Sequence, residues 1–236
     1  MGRAHADTIE AVLAAYRAGC FPMADTREAD RLSLPIRWIR PDRRAILPIE
    51  PQVFGLDRGV HIPRRLSRTV RRGRFALSCD SAFCRVVAAC AEPRRESASC
   101  TSDTWIDARI EGLFTLLHDA GRAHSIEAWL ERPGGELALV GGVYGLALGR
   151  VFCAESMFSR PDLGGTDASK VALVHLIEHC RRCGFTTIDT QFVNRHLEQF
   201  GVVEIDGGDY LRYLQAVGED DVRWRPFQAG LVDRSD

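Results

Sequence analysis

Apolar and polar positions along the chain change their period several times, and each change marks an element. In DTIEAVLAAYRAG, Ile9, Val12, Leu13 and Tyr16 recur at helical spacing, which predicts an amphipathic helix capped by Asp7 and ended by Gly19. Helical spacing is then lost, and Pro22, Pro35, Pro41 and Pro48 exclude a long helix and predict loops with short strands. In TSDTWIDARIEGLFTLLHDAG the helical period returns, with Ile106, Ile110, Leu113 and Leu117 on one face, Thr104 as the cap and Asp107 three residues on. The period next falls to two: AHSIEAWLE, LALVGGVYGLALG and RVFCAESMF read as three strands, the last two joined tightly at Gly149 and Arg150. After the loop SRPDLGGTD, the segment ASKVALVHLIEHCRRCG reads as a helix, TTIDTQF as a strand and NRHLEQFG as a short helical piece. This order predicts an α+β fold centred on a mostly antiparallel sheet, with residues 1–58 as a small N-terminal lobe and 59–236 as a larger domain.

Composition narrows the class without naming an activity. With 45% hydrophobic and 27% charged residues in 236, the chain has the make-up of a soluble globular protein. A formal net charge of -1 gives no global attraction to polyanions, so such a site has to come from local clustering. HIPRRLSRTVRRGRF supplies one: Arg64, Arg65, Arg68, Arg71, Arg72 and Arg74 follow one another without an acid, and on a helix positions 64, 68, 71 and 72 share a face. Surface charge runs normally mix both signs, so this stripe favours a phosphate backbone as partner. No apolar run has transmembrane length and no export signal leads the chain, so a cytoplasmic protein with no membrane partner is expected. The eight cysteines are then expected as reduced thiols. Cys180 and Cys183, near His175 and His179, resemble half a metal site, but no second ligand pair has the right spacing and no metal is expected.

Candidate chemistry gathers at a few polar residues. FCAESMFS sets Glu155 among Phe152, Met157 and Phe158 at a strand end, and a buried carboxylate needs a cation, either an internal one such as Arg160 or Lys170 or a ligand. Asp189 and Gln191, two apart on a strand, share a face; with Glu155 they form a proton-relay or amine-binding set. Lys170 is the only lysine, and in the first turn of its helix its charge adds to the dipole and helps hold an anion. Trp105 and Phe114 lie off the buried stripe of their helix and are either extra core or an aromatic platform. GGTDASK does not meet the phosphate-loop pattern and GGVYGLALG sits in strands, so no nucleotide or redox cofactor is expected.

Taken together, AYRAGCFPM, WIRPDRRAIL, TWI, AHSIEAW, LVGGVYGLALGRVFCAESMFS, ASKVAL and IDTQF resemble, in order and spacing, the leucyl/phenylalanyl-tRNA–protein transferases over residues 8 to 215. That resemblance implies a GCN5-related N-acyltransferase-like catalytic domain after the small lobe, with the acyl donor between splayed strands and the next helix's start. It implies transfer of leucine or phenylalanine from aminoacyl-tRNA to the α-amine of a protein beginning with Arg or Lys, a mark for proteolysis, with no cofactor. Glu155, Asp189 and Gln191 match catalytic positions; Trp105 matches the residue that holds the terminal adenosine; Val143 and Leu173 match the donor side-chain pocket. Met23, Phe114, Phe152 and Lys170 are further substrate-binding candidates, and Arg64, Arg65, Arg68, Arg71 and Arg72 are candidates for tRNA phosphates. The chain departs from the family pattern at Phe114 (usually tyrosine), Met23 (tryptophan in some members), Ala154 (usually glycine) and in a longer loop before Lys170. An acetyl-CoA-dependent N-acetyltransferase and a non-catalytic tRNA-binding protein are the alternatives.

Overall fold

The computed structural model describes residues 2–24, 35–97, 100–102 and 104–229. Helix α1 (Arg3–Arg17) leads into β1 (Phe21–Met23), β2 (Arg37–Ile39) and β3 (Arg43–Pro48). There follow α2 (Arg64–Arg71), β4 (Ala76–Cys79), α3 (Phe83–Ala91), the paired β5 (Arg94–Ser97) and β6 (Cys100–Ser102), and α4 (Ala108–Asp119). The three long strands are β7 (Ala123–Glu131), β8 (Leu137–Leu148) and β9 (Val151–Ser159). After them come α5 (Ala168–Cys183), β10 (Thr187–Gln191), α6 (Arg195–Glu198), β11 (Val203–Asp206), α7 (Gly207–Val217) and β12 (Gln228–Ala229).

Eight strands form one sheet in the order β11-β3-β10-β9-β8-β7-β4-β12, antiparallel throughout except for the parallel pair β9–β10. That pair needs a crossover, and α5 is the crossover. Strand alternation splits the core in two. Val151 and Cys153 pack with α1, α3, α4 and α7 on one face, whereas Phe152 packs with α2 and α5 on the other. Gly141 lets the start of α5 settle onto β8, since a Cβ there would lie 2.5 Å from the Ala168 Cβ.

The α+β class and mostly antiparallel sheet agree with the periodicity, as do the three long strands and α5. Upstream of residue 58, β3 is an interior strand of the main sheet, hydrogen-bonded to β10 and β11. Helix α1 shares the same core through Ile9, Val12, Leu13 and Tyr16. Two caps differ. Helix α1 starts at Arg3 behind Gly2 rather than at Asp7. Asp107, not Thr104, caps α4, accepting from the N–H groups of Arg109 (2.9 Å) and Ile110 (3.1 Å). The seven described cysteines are free, and among the described residues no helix is long and apolar enough to cross a membrane.

Candidate active site

The parallel ladder of β9 and β10 stops at Cys153 opposite Asp189, and both strands are irregular immediately beyond. On β9, Tyr144 faces Ser156 and Gly145 faces Ala154, which leaves Glu155 as the extra, bulged residue. On β10, Asp189 faces Ile46 and Gln191 faces Ala45, which leaves Thr190 as the extra one. A cavity of about 640 Å³ opens here under the first turn of α5, lined by Glu155, Thr190 and Gln191 among its polar residues and by Val143, Met157 and Leu173 among its apolar ones. Met23, Trp105 and Lys170 line it as well.

Glu155 is 9% exposed and accepts a hydrogen bond from the Tyr16 hydroxyl at 2.8 Å. Burial pushes its carboxyl up from an ordinary value of 4.5 to about 8, offset in part by the Tyr16 hydrogen bond and by Arg44, and reinforced by the Asp189 charge. Neither anticipated internal cation reaches it. Arg160 pairs with Glu92 at 2.5 Å, and Lys170 pairs with Asp167 at 2.8 Å. Glu155 thus lines the cavity with neither Arg160 nor Lys170 bonded to it.

Asp189 is fully buried and holds a different position from the expected one. Its Oδ1 accepts from Arg44 Nε (2.8 Å) and from the Gln191 backbone N–H (2.9 Å); its Oδ2 accepts from Arg44 Nη2 (2.5 Å) and the Tyr210 hydroxyl (2.8 Å). The bulge at Thr190 breaks the alternation, so Asp189 and Gln191 do not share a face: Gln191 lines the cavity, and Asp189 braces the backbone behind it. Gln191 has φ +59, the left-handed region. Its side-chain amide, oriented to satisfy both of its groups, donates to the carbonyls of Ala154 (3.0 Å) and Thr190 (3.1 Å), which leaves the amide oxygen as an acceptor.

Two expected substrate residues belong to the core instead. Phe114 is fully buried against Tyr144, ring centroids 5.1 Å apart, and Phe152 is fully buried against Phe185 and Trp224. Neither lines the cavity. The sequence placed Phe152 near Glu155, but strand alternation points it to the opposite core. Arg64, Arg65, Arg68 and Arg71 on α2 and Arg72 at its end are all exposed. A second cavity of about 260 Å³ is lined by Arg65 together with Lys170 and Asp167, which also line the first.

Sequence reasoning missed Tyr16, Arg44 and Tyr210 as site residues. Tyr16 was visible only as an apolar helical position and Arg44 as one arginine of many; nothing local signals that either meets a carboxylate about 140 residues away. It also missed Asp80, His118 and His124, the one group among the described residues whose ligating atoms are close enough to hold a metal ion. The Asp80 oxygens there already accept from Ser125 N–H and pair with His124 Nδ1, each at 2.8 Å.

Comparison with known proteins gives the same answer as the motifs. The model of the leucyl/phenylalanyl-tRNA protein transferase family matches residues 53–215, and that of its N-terminal domain matches residues 7–42. The chain belongs to the leucyl/phenylalanyl-tRNA–protein transferase family. A transferase of that name from Novosphingobium aromaticivorans is 43% identical over 226 residues, 96% of this chain and 74% of the relative. The Paramagnetospirillum magneticum relative is 46% identical over 86% of this chain and 85% of its own length. The Caulobacter vibrioides one is 45% identical over 88% and 84%. A crystal structure of FemX aligns with a TM-score of 0.43 at 12% identity, over 94% of this chain and 66% of FemX, too distant to add to the argument. Within the family, the matched region holds Glu155, Asp189, Gln191 and the whole of α5.

Proposed function

We propose that this chain is an aminoacyltransferase that moves leucine, phenylalanine or methionine from aminoacyl-tRNA to the N-terminal α-amine of proteins beginning with Arg or Lys, marking them for degradation. Family membership supports the aminoacyl transfer. The observation that carries the acceptor preference is the buried Glu155 carboxylate, which lines the cavity beside Gln191 with no arginine or lysine among the described residues hydrogen-bonded to it.

The chemistry asks little of the protein beyond placement. An α-amine of pKa about 7.7–8.0 is partly neutral near pH 7, and the aminoacyl ester is already activated. The amine lone pair attacks the ester carbonyl carbon, the bond to the ribose oxygen breaks, and the amine's proton ends on that departing oxygen. Glu155 binds the acceptor's cationic side chain, and the Gln191 oxygen accepts an N–H of the attacking amine and aims its lone pair. Val143, Leu173 and Met157 form the slot for the donor side chain, Met23 and Trp105 flank it, and Trp105 offers its ring to the terminal adenosine. Holding both partners in one cavity supplies most of the acceleration. The acyltransferase-like arrangement, in which the donor lies where two parallel strands part beneath a helix start, is consistent with the end of the β9–β10 ladder under α5.

Incubation with labelled Leu-, Phe- or Met-tRNA and an Arg-starting peptide, with acetyl-CoA as a parallel donor, tests this reading. Transfer from aminoacyl-tRNA alone is expected; transfer from acetyl-CoA, or tRNA binding without transfer, would replace it with one of its alternatives. The exposed stripe on α2 makes a separate prediction. Replacing Arg64, Arg68 and Arg71 together by glutamine should weaken tRNA binding at low salt and flatten the slope of log K against log salt by about 2 to 3. An unchanged slope in filter-binding titrations would remove α2 from the interface.

A further inference from the structure

We infer that Arg44 is a positioning residue for the transfer reaction, one buried guanidinium that fixes both the Gln191 side and the Glu155 side of the cavity. The inference rests on the function proposed above. Arg44 lies on β3, next to β10 in the sheet, and is 2% exposed. All three of its nitrogens are engaged: Nε and Nη2 donate to the two oxygens of Asp189 at 2.8 and 2.5 Å, and Nη1 donates to the Gly19 carbonyl at 2.9 Å. The guanidinium carbon sits 5.0 Å from the centroid of the Phe21 ring and 4.7 Å from that of Tyr210.

On one side, the Asp189 carboxylate held by Arg44 accepts the Gln191 backbone N–H and so spans the bulged Thr190. The left-handed backbone at Gln191 is costly for a residue with a side chain, and it persists only where its surroundings impose it. On the other side, Gly19 follows the end of α1, three residues after Tyr16, whose hydroxyl donates to Glu155. A displaced Arg44 thus releases the acceptor amide on β10 and the hydroxyl on α1 together. Asp189, each of whose oxygens accepts two hydrogen bonds, acts here as a brace rather than as a proton carrier.

A lysine has the charge but not the planar fork, and it cannot make these three directed bonds at once. Glu155 is faced by Tyr16 from α1, Tyr144 from β8, Arg44 from β3 and Asp189 from β10, and the last two act on its ionisation in opposite directions. Loss of Arg44 alone leaves the Asp189 charge to oppose Glu155 ionisation.

The test uses the full chain with labelled Phe-tRNA and an Arg-starting peptide, and compares Arg44→Lys, the double variant Arg44→Met/Asp189→Asn, and Tyr210→Phe, with thermal melts on each. The double variant removes both members of the Arg44–Asp189 pair, so neither is left as an unpaired buried charge. It is expected to fold and to lose at least about 10-fold in kcat with the donor KM within about 3-fold. Arg44→Lys should fail to rescue kcat, and its pH–rate profile should differ from that of the double variant because the charge is kept. Tyr210→Phe, which removes one hydroxyl and no charge, is expected to lower kcat about 3- to 10-fold. A folded double variant with kcat within 2-fold of the parent overturns the inference, as does a loss confined to donor KM. If the double variant does not fold, a Tyr210→Phe kcat within 2-fold overturns it instead. Failure of the parent chain to transfer from any aminoacyl-tRNA would sink the proposed function, a result separate from all of these.

Discussion

Glu155→Gln should lower kcat/KM for an Arg-starting acceptor by at least about 30-fold while leaving the donor KM nearly unchanged. The substitution keeps the volume and an acceptor for the Tyr16 hydroxyl, which donates at 2.8 Å, and removes only the charge. A desolvated pair between a carboxylate and a guanidinium that loses one partner costs roughly 2–5 kcal/mol, and 2 kcal/mol is already about 30-fold. Acceptor binding should also strengthen with pH up to about 8, because the free carboxyl ionises only there while the acceptor guanidinium is charged throughout.

The same burial has a signature in stability. The folded-state pKa of Glu155 is raised above its ordinary 4.5, so the native state binds the extra proton. Stability from this group is fully present below about pH 4.5 and is lost as pH rises through about 8. At about 1.4 kcal/mol per unit the full loss is on the order of 3–5 kcal/mol. Urea melts between pH 5 and 8.5 should show the parent losing stability relative to Glu155→Gln; parallel curves would mean that Glu155 is not buried as described.

Gly145→Ala should be the most damaging single methyl in the sheet, lowering stability by more than about 3 kcal/mol, or roughly 6–12 °C in Tm. A Cβ at Gly145 would stand 2.1 Å from the Cys153 carbonyl oxygen and 2.6 Å from the Phe152 ring. The carbonyl belongs to the backbone of β9 and cannot step aside as a side chain would. Relief requires β8 and β9 to move apart at the position where Glu155 bulges, so activity per folded molecule should fall with Tm. A thermal scan showing less than about 2 °C of change would show that the two strands have slack here.

Much of this site was legible in the chain. The period-two strands, α5 and the run of exposed arginines on and just after α2 lie on the elements that the pattern predicts, since alternation and helical spacing follow from local backbone geometry. Proline-rich local signals say nothing of pairing partners: β3 reads only as a short strand, yet it hydrogen-bonds to β10 and β11. Lys170, the lone lysine, pairs with Asp167 one helical turn away and stands between two cavities, a place its sequence could not give.

What sequence alone determined was which groups exist and on which elements, because hydrophobic period and motif spacing are properties of neighbouring residues. What only tertiary structure decided was where those groups aim. The two bulges that turn Glu155 and Gln191 towards one cavity and withdraw Asp189 from it arise from pairing between distant strands. The Tyr16–Glu155 and Arg44–Asp189 contacts join residues 139 and 145 positions apart. A carboxylate's role follows from its burial and partners, and these exist only once the chain has closed on itself.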